Sequence, residues 1–306
     1  MTVPMPTLRE LFGSRLQENV RMSNYTTARV GGVVDGLLPL NTLEEMRTAA
    51  EKLWELQVPF RVLGSGSNIL VSDHGYRGVM LLNHCHNIRI RSNEEPPVVV
   101  AESGVNLGNL ARQTALRGLT GLEWANSIPG SVGGAVYGNA GAHGSDVHAT
   151  LISALILTPE GGEQELDPQG MGYEYRSSKF KREKLPVVIL SAVFRTSRST
   201  REAAWKILSD FTEKRQATQP AGPSCGSTFK NPVGDYAGRL LEAAGLKGER
   251  IGGAAFSDLH ANFIVNQGGA TASDYYQLIR LAQKKVKDQF GVTLDTEIEL
   301  LGEFDD

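Results

Sequence analysis

Apolar residues recur at helical spacing over 42–57, where Leu43, Met46, Ala50, Leu53 and Trp54 share one face. Asn41 or Thr42 can cap that helix, and Glu44 and Glu45 in its first turn complement the helix dipole. The period then shortens. Residues 60–63 read as a strand, followed by the small-residue run Gly64-Ser65-Gly66-Ser67-Asn68 and a second strand, Ile69-Leu70-Val71-Ser72. Residues 98–101 form another strand. Asn106 then caps a helix that turns Leu107, Leu110, Ala111 and Ala115 inward and ends at Gly118. From Ile128 to Ala142 no period is evident, and a long loop is expected. Strands resume at 151–158 and 187–195.

The pattern turns helical again after Ser197-Arg198-Ser199-Thr200. Residues 201–217 form a helix with Ala204, Ile207, Leu208 and Phe211 inward, and 235–244 form a second helix closed by Gly245. A third runs over 273–290, capped by Ser273, with Ile279, Ala282, Val286 and Phe290 on one face and Gly291 after it. A strand follows at 293–302. The fold class is α+β, with a boundary near 198. A first domain over 1–197, rejoined by 293–306, precedes a second over 198–292. Tryptophans 54, 124 and 205 are expected in cores.

A chain of 306 residues is long enough for two domains with sizeable cores. Its net charge of −3 lacks the basic excess of a nucleic-acid or membrane-surface protein. Lys179, Lys181, Arg182 and Lys184 are the only short basic run, interrupted by Glu183, and read as a solvated loop. Cys85 and Cys225 are too few for a disulfide framework and match no zinc spacing, so reduced thiols and no metal are expected. Neither a secretory leader nor a membrane-length apolar run is apparent, which places the protein in the cytoplasm.

Chemistry concentrates in a few segments. Gly64-x-Gly66 is no dinucleotide fingerprint, because Ile69 stands at the third glycine position and a strand follows. No phosphate-loop motif is present. Two glycine-rich stretches in one chain suit a large nucleotide cofactor gripped from two sides, although 64–66 alone also suits an ordinary turn. Tyr175-Arg176 offers a planar fork for a carboxylate. Gly226-Ser227-Thr228-Phe229-Lys230-Asn231-Pro232 presents a hydroxyl, a cation and an amide, without the elbow of a hydrolase nucleophile. Asp295-Thr296-Glu297-Ile298-Glu299 aims Glu297 or Glu299 at a cleft, or lies as a solvent-facing edge strand. His143, His148 and His260 show no metal spacing, and His260 reads as structural.

Together these segments resemble the UDP-N-acetylenolpyruvoylglucosamine reductase family. The likeness runs from Thr26-Thr27-Ala28-Arg29-Val30-Gly31-Gly32 to Gly302. It rests on Leu63-Gly64-Ser65-Gly66-Ser67-Asn68, Gly121-Leu122-Glu123, Ile128-Pro129-Gly130-Ser131-Val132-Gly133-Gly134, Asn139-Ala140-Gly141-Ala142, Tyr175-Arg176, Gly226-Ser227 through Pro232, and Glu297.

The resemblance implies an FAD-binding part of the vanillyl-alcohol-oxidase type, made of two α+β subdomains, followed by a smaller C-terminal α+β substrate domain. It implies FAD and NADPH as cofactors and a sugar-nucleotide substrate bearing an enolpyruvyl ether. Arg176, Ser227 and Glu297 match the catalytic residues, with Ser227 as proton donor and Arg176 and Glu297 on the carboxylate. Arg61, Gly64, Ser65, Gly66, Ser67, Asn68, Ser127, Ile128, Pro129, Gly130, Gly133, Gly134, Asn139 and Gly141 match cofactor contacts. Tyr175, Lys230, Asn231 and Arg215 match substrate contacts, and Lys214 lies beside them. The implied protein is a monomer with no nucleic-acid or membrane partner. The chain lacks the tyrosine-bearing insertion of the first subclass after Arg195, and so resembles the second. His143 stands where some members carry tyrosine, and takes no role from the likeness. The rival functions are an oxidase on the same scaffold and a flavin-binding module without catalysis.

Overall fold

The computed structural model describes residues 3–305. Met1, Thr2 and Asp306, at the ends of the expected 1–197 and 293–306 segments, lie outside the described residues. The chain divides into two compact units. One comprises the residues up to Leu37, Ser65–Val79 and the chain from Gln216 onward; the other comprises Leu38–Gly64 and Met80–Arg215.

The second of these units is organised by a five-stranded antiparallel sheet in the order Gly162–Leu166, Leu151–Thr158, Val188–Arg195, Val98–Glu102, Ile88–Arg91. The central strands bury Val99, Ala101, Ala154, Ile156, Ala192 and Phe194, and helix Leu107–Leu116 adds Leu107, Leu110, Ala111 and Ala115 to the same core. Its cap is as expected: the Asn106 side chain accepts from the Asn109 N–H at 3.0 Å. Helix Leu43–Glu55 starts at Thr42, whose hydroxyl accepts from the Glu45 N–H at 3.1 Å.

The region 128–142 departs from the loop expected there. It contains helix Val132–Gly138, capped by Ser131 and closed by Asn139 in the left-handed conformation. Glycine content hides this helix in the sequence, but Val132, Ala135 and Val136 are fully buried and supply the packing that local propensity withholds. The basic run is likewise no loop: Lys179–Arg182 is a short helix capped by Ser178. Helix Arg201–Thr218 buries Ala204 and Leu208, while Ile207 and Trp205 face outward at 37% and 42% exposure. Apolar residues that do not recur on the buried stripe are left at the surface, which corrects both expectations.

The other unit holds a four-stranded antiparallel sheet in the order Ser224–Ser227, Phe263–Asn266, Ala254–Phe256, Arg250–Ile251. Helices Ala237–Ala243 and Ala272–Phe290 pack Leu240, Leu241, Tyr275, Leu278, Ile279, Ala282 and Val286 with Phe256, Ile264 and Phe229. The long helix begins one residue earlier than expected and is capped by Thr271, not Ser273. Thr271 and Asp274 form a reciprocal capping box. Ser273 instead donates its hydroxyl to Asp73 at 2.7 Å. Phe290 ends up exposed, past the last inward turn. The expected strand at 293–302 is reduced to Glu299–Leu301, which pairs in parallel with Ile69–Val71. Among the described residues, no helix is long and apolar enough to cross a membrane.

Thr271→Ala removes the cap of the longest helix in this unit. It is expected to cost roughly 1 kcal/mol, lowering the thermal midpoint by a few degrees in calorimetry.

Candidate active site

The catalytic residues suggested by sequence fall in both units. Ser227, Glu297, Lys230, Asn231 and Ser65 through Asn68 belong to one; Arg176, Tyr175, Arg215, Arg61, Gly64, Ser127 through Gly134, Asn139 and Gly141 belong to the other.

Ser227 ends the strand Ser224–Ser227, where the register with its neighbour shifts between Ser224 and Ser227. Gly226 makes that shift possible, with φ at +77°, a conformation that disfavours any residue with a Cβ. The bulge turns the half-buried Ser227 out of the regular alternation. Beyond it the chain is tightly held. Thr228 N–H donates to Asn262 O at 2.8 Å, and the buried Asn262 side chain bonds both the N–H and the C=O of Phe229, at 2.9 and 2.8 Å.

A second segment docks on this one. Glu297 N–H donates to Thr228 O at 2.9 Å, and Lys230 N–H donates to Asp295 O at 2.9 Å, flanking a bridge between Phe229 and Thr296. The half-buried Glu297 therefore sits in a segment docked on Thr228, the residue after Ser227. Buried Leu294 and Ile298 anchor the segment from below. The exposed Asn231 spends its side-chain oxygen on the Ala237 N–H, at 3.0 Å, and so serves as a helix-entry brace in this unit.

Arg176 lies in a tight turn closed by reciprocal bonds between Glu174 and Ser177, and its own φ is +53°. A non-glycine residue in that conformation carries strain of about 1–3 kcal/mol, and such residues gather at functional sites. The guanidinium is fixed on two sides. Nη2 donates to Gly141 O at 2.5 Å, and the Tyr175 ring lies 5.2 Å away, within cation–π range. Gly141 thus anchors Arg176, and a Cβ on it would stand 2.5 Å from that of Asp146. Asn139 is nearly fully buried; its amide donates to Glu174 O at 3.0 Å and accepts from the His148 N–H at 2.9 Å. Both amide ends hold the Arg176 turn and its surroundings in place.

The glycine stretches pack against protein as well. A Cβ on Gly64 would stand 2.2 Å from Ser131 Oγ, so the two stretches touch within one unit. A Cβ on Gly66 would stand 2.1 Å from Tyr25 O. Val132 and Gly133 donate their N–H groups to Val105 O and Ser103 O, at 2.8 and 2.7 Å. Arg61, Ser65 and Pro129 are exposed, and Ser67, Ile128 and Gly130 are half-buried.

No sequence pattern pointed to the cluster around His143. Its ring stacks on Phe211 at 4.0 Å and 3°, and Nε2 lies 3.0 Å from Ser127 Oγ. Burial pushes the His143 pKa down from its usual 6.5, and the charges of Lys214 and Arg215 push it further the same way. Arg215 is itself lowered by burial alone. Only the pairing of residues distant in sequence creates this group, so no local signal could have revealed it. Cys225 donates its thiol to Ile69 O at 3.3 Å; burial raises its pKa to about 12, leaving an inert thiol two residues from Ser227.

Comparison with known proteins places these features in a family. Residues 216–301 match the model for the C-terminal domain of UDP-N-acetylenolpyruvoylglucosamine reductase, and 34–167 match an FAD-binding domain. The UDP-N-acetylenolpyruvoylglucosamine reductase of Bacillus pumilus is 41% identical over 290 residues, covering 94% of this chain and 95% of that protein. That of Rubrobacter xylanophilus is 40% identical over 300 residues, covering 97% and 98%. The crystal structure of the Thermus caldophilus enzyme superposes with a TM-score of 0.79 at 32% identity, covering 94% of this chain and 99% of that one.

One glycine fits the implied FAD in a way the protein alone does not explain. Gly134 is exposed in the first turn of its helix, and a Cβ there would meet only Ser131 Oγ, at an ordinary 3.6 Å. Packing therefore permits alanine, which a helix prefers, yet glycine is kept, consistent with a large group lying against this face.

Gly134→Ala should raise the stability of the flavin-free protein by about 0.5–1 kcal/mol while weakening FAD retention on gel filtration. Unchanged flavin affinity would remove Gly134 from the cofactor site. His143 should remain neutral as pH falls through 6.5, where the unfolded chain takes up a proton first. Its contribution to stability therefore declines on acidification below that value. A histidine NMR titration of the wild type and His143→Gln identifies the signal, whose midpoint is expected below 6.5.

Proposed function

The chain belongs to the UDP-N-acetylenolpyruvoylglucosamine reductase family, and from that premise we propose that Ser227, Arg176 and Glu297 carry the reduction of UDP-N-acetylglucosamine enolpyruvate to UDP-N-acetylmuramate. The enzyme is an FAD-containing oxidoreductase with NADPH as reductant, acting in peptidoglycan precursor synthesis. FAD, when bound, supplies hydride transfer from the nicotinamide to the enolpyruvyl group.

Conjugate addition to the methylene carbon puts negative charge on the carboxylate-bearing carbon and its carboxylate. The protein's task is to hold that carboxylate and deliver a proton to the carbon bearing it. Arg176 suits the first part, because a planar fork already fixed by Gly141 O and the Tyr175 ring needs little reorganisation as charge grows. Ser227 Oγ–H suits the second. A hydroxyl is a weak acid, and it transfers a proton only to a strongly basic carbon held close to it. Glu297 completes the set at the carboxylate end.

The observation carrying this reading is the bond from Glu297 N–H to Thr228 O, which docks the Glu297 segment on the residue after Ser227. Tyr175, Lys230, Asn231 and Arg215 are proposed for the sugar nucleotide. Burial of the Arg215 guanidinium favours a diphosphate as its partner. The segment 198–292 is proposed as the substrate domain, and the enzyme as a cytoplasmic monomer without nucleic-acid partners.

Ser227→Ala is expected to leave reduction of the bound flavin by NADPH intact and to slow reoxidation by the enolpyruvyl substrate by about 10²–10⁴-fold in stopped flow. Wild-type rates in both half-reactions would rule Ser227 out as proton donor. Arg176→Lys should fail in the same half-reaction, because a point charge cannot replace a fork.

A further inference from the structure

Asn68 closes the first glycine stretch, and its place in that motif suggests a cofactor contact. Its side chain is engaged elsewhere. Asn68 Nδ2 donates to Glu297 O at 3.1 Å. Its own carbonyl accepts from Glu299 N–H at 2.9 Å, next to the parallel pair in which Ile69 faces Glu299. The side chain thus extends the backbone ladder one step past its end, to the residue that matters for chemistry.

Glu297 is tied on its other edge as well, through its N–H to Thr228 O at 2.9 Å. The peptide groups on both sides of its Cα are therefore fixed. One is bound to the residue after Ser227, the other to Asn68. Fixing both constrains the two backbone torsions between them, and with them the direction of the Cα–Cβ bond. Without the Asn68 bond, the carbonyl of Glu297 loses its side-chain donor and its C-terminal peptide is held less tightly. The geometry points to Asn68 as a positioning residue for Glu297, acting on the substrate half of the reaction through the Glu297 backbone and not through the cofactor. An amide suits the task, because it offers donors to a carbonyl where a carboxylate would offer none. Asn68 is exposed, so its replacement leaves the cores intact. This inference rests on the role proposed above for Glu297.

The test uses FAD-loaded enzyme with Asn68→Ala, the near-isosteric Asn68→Asp, Glu297→Ala, and the Asn68→Ala/Glu297→Ala pair. Both Asn68 variants should keep the flavin content, the flavin spectrum and the rate of reduction by NADPH. Reoxidation by the enolpyruvyl sugar nucleotide should slow about tenfold or more, with Asn68→Asp no faster than Asn68→Ala. In the double variant Asn68→Ala should add nothing to the defect of Glu297→Ala, because the two act as one unit. Loss of flavin or slow reduction by NADPH would make Asn68 a cofactor residue and overturn the inference. Multiplying defects in the double variant would overturn it too, while sparing the role of Glu297. A Glu297→Ala enzyme with a full reoxidation rate would instead defeat the proposed catalytic set and this inference with it.

Discussion

The hydrogen bonds that fasten residues 295–297 to 228–230 are the constraint on which the proposed chemistry depends in their unit. They join segments far apart in sequence and fasten the Glu297 backbone to the residue after Ser227. Residues 228 and 229 depend on the buried amide of Asn262, and 295–297 depend on the apolar anchors Leu294 and Ile298. A polar edge is thus made rigid by a buried layer beneath it, which is what preorganised catalysis needs.

Arg176 is held by a different device in its own unit. Its backbone takes a conformation that costs energy, and buried Asn139 together with the Gly141 carbonyl maintains it. Asn139 and Gly141, expected at the cofactor, also brace the arginine turn. Glycines in both stretches serve close packing of protein on protein, as Gly64 does against Ser131. Motif glycines therefore have two explanations, and only the space around each decides between them. Gly66 has no room for a Cβ, whereas Gly134 has room and goes without.

Much of this was legible in the sequence. The caps at Thr42 and Asn106 and three strands of the five-stranded sheet follow from pattern, because each is set by local chemistry; Ile88–Arg91 and Gly162–Leu166 were not expected as strands. The helix Val132–Gly138 was not legible, since glycines weaken its propensity and buried packing restores it. Ser273 looked like a cap because position and residue type agreed, but Thr271 had the acidic partner three residues on. The composition change at 197–200 marks the start of a helix, whereas packing divides at Arg215. At the site, residue chemistry offered Arg176, Ser227 and Glu297 or Glu299 as candidates, and family likeness gave them their roles. The strain at Arg176, the bulge at Ser227 and the His143–Ser127 contact arise from tertiary contacts that local periodicity does not encode.

The central claim is that this enzyme passes reducing equivalents from NADPH to an enolpyruvyl sugar nucleotide. Nicotinamide absorbance followed under low oxygen, with and without UDP-N-acetylglucosamine enolpyruvate, tests it most directly. NADPH loss should require that substrate and continue well past one equivalent of bound flavin. Loss that halts at one equivalent with the substrate present would contradict the account, leaving a flavoprotein whose acceptor is a different molecule.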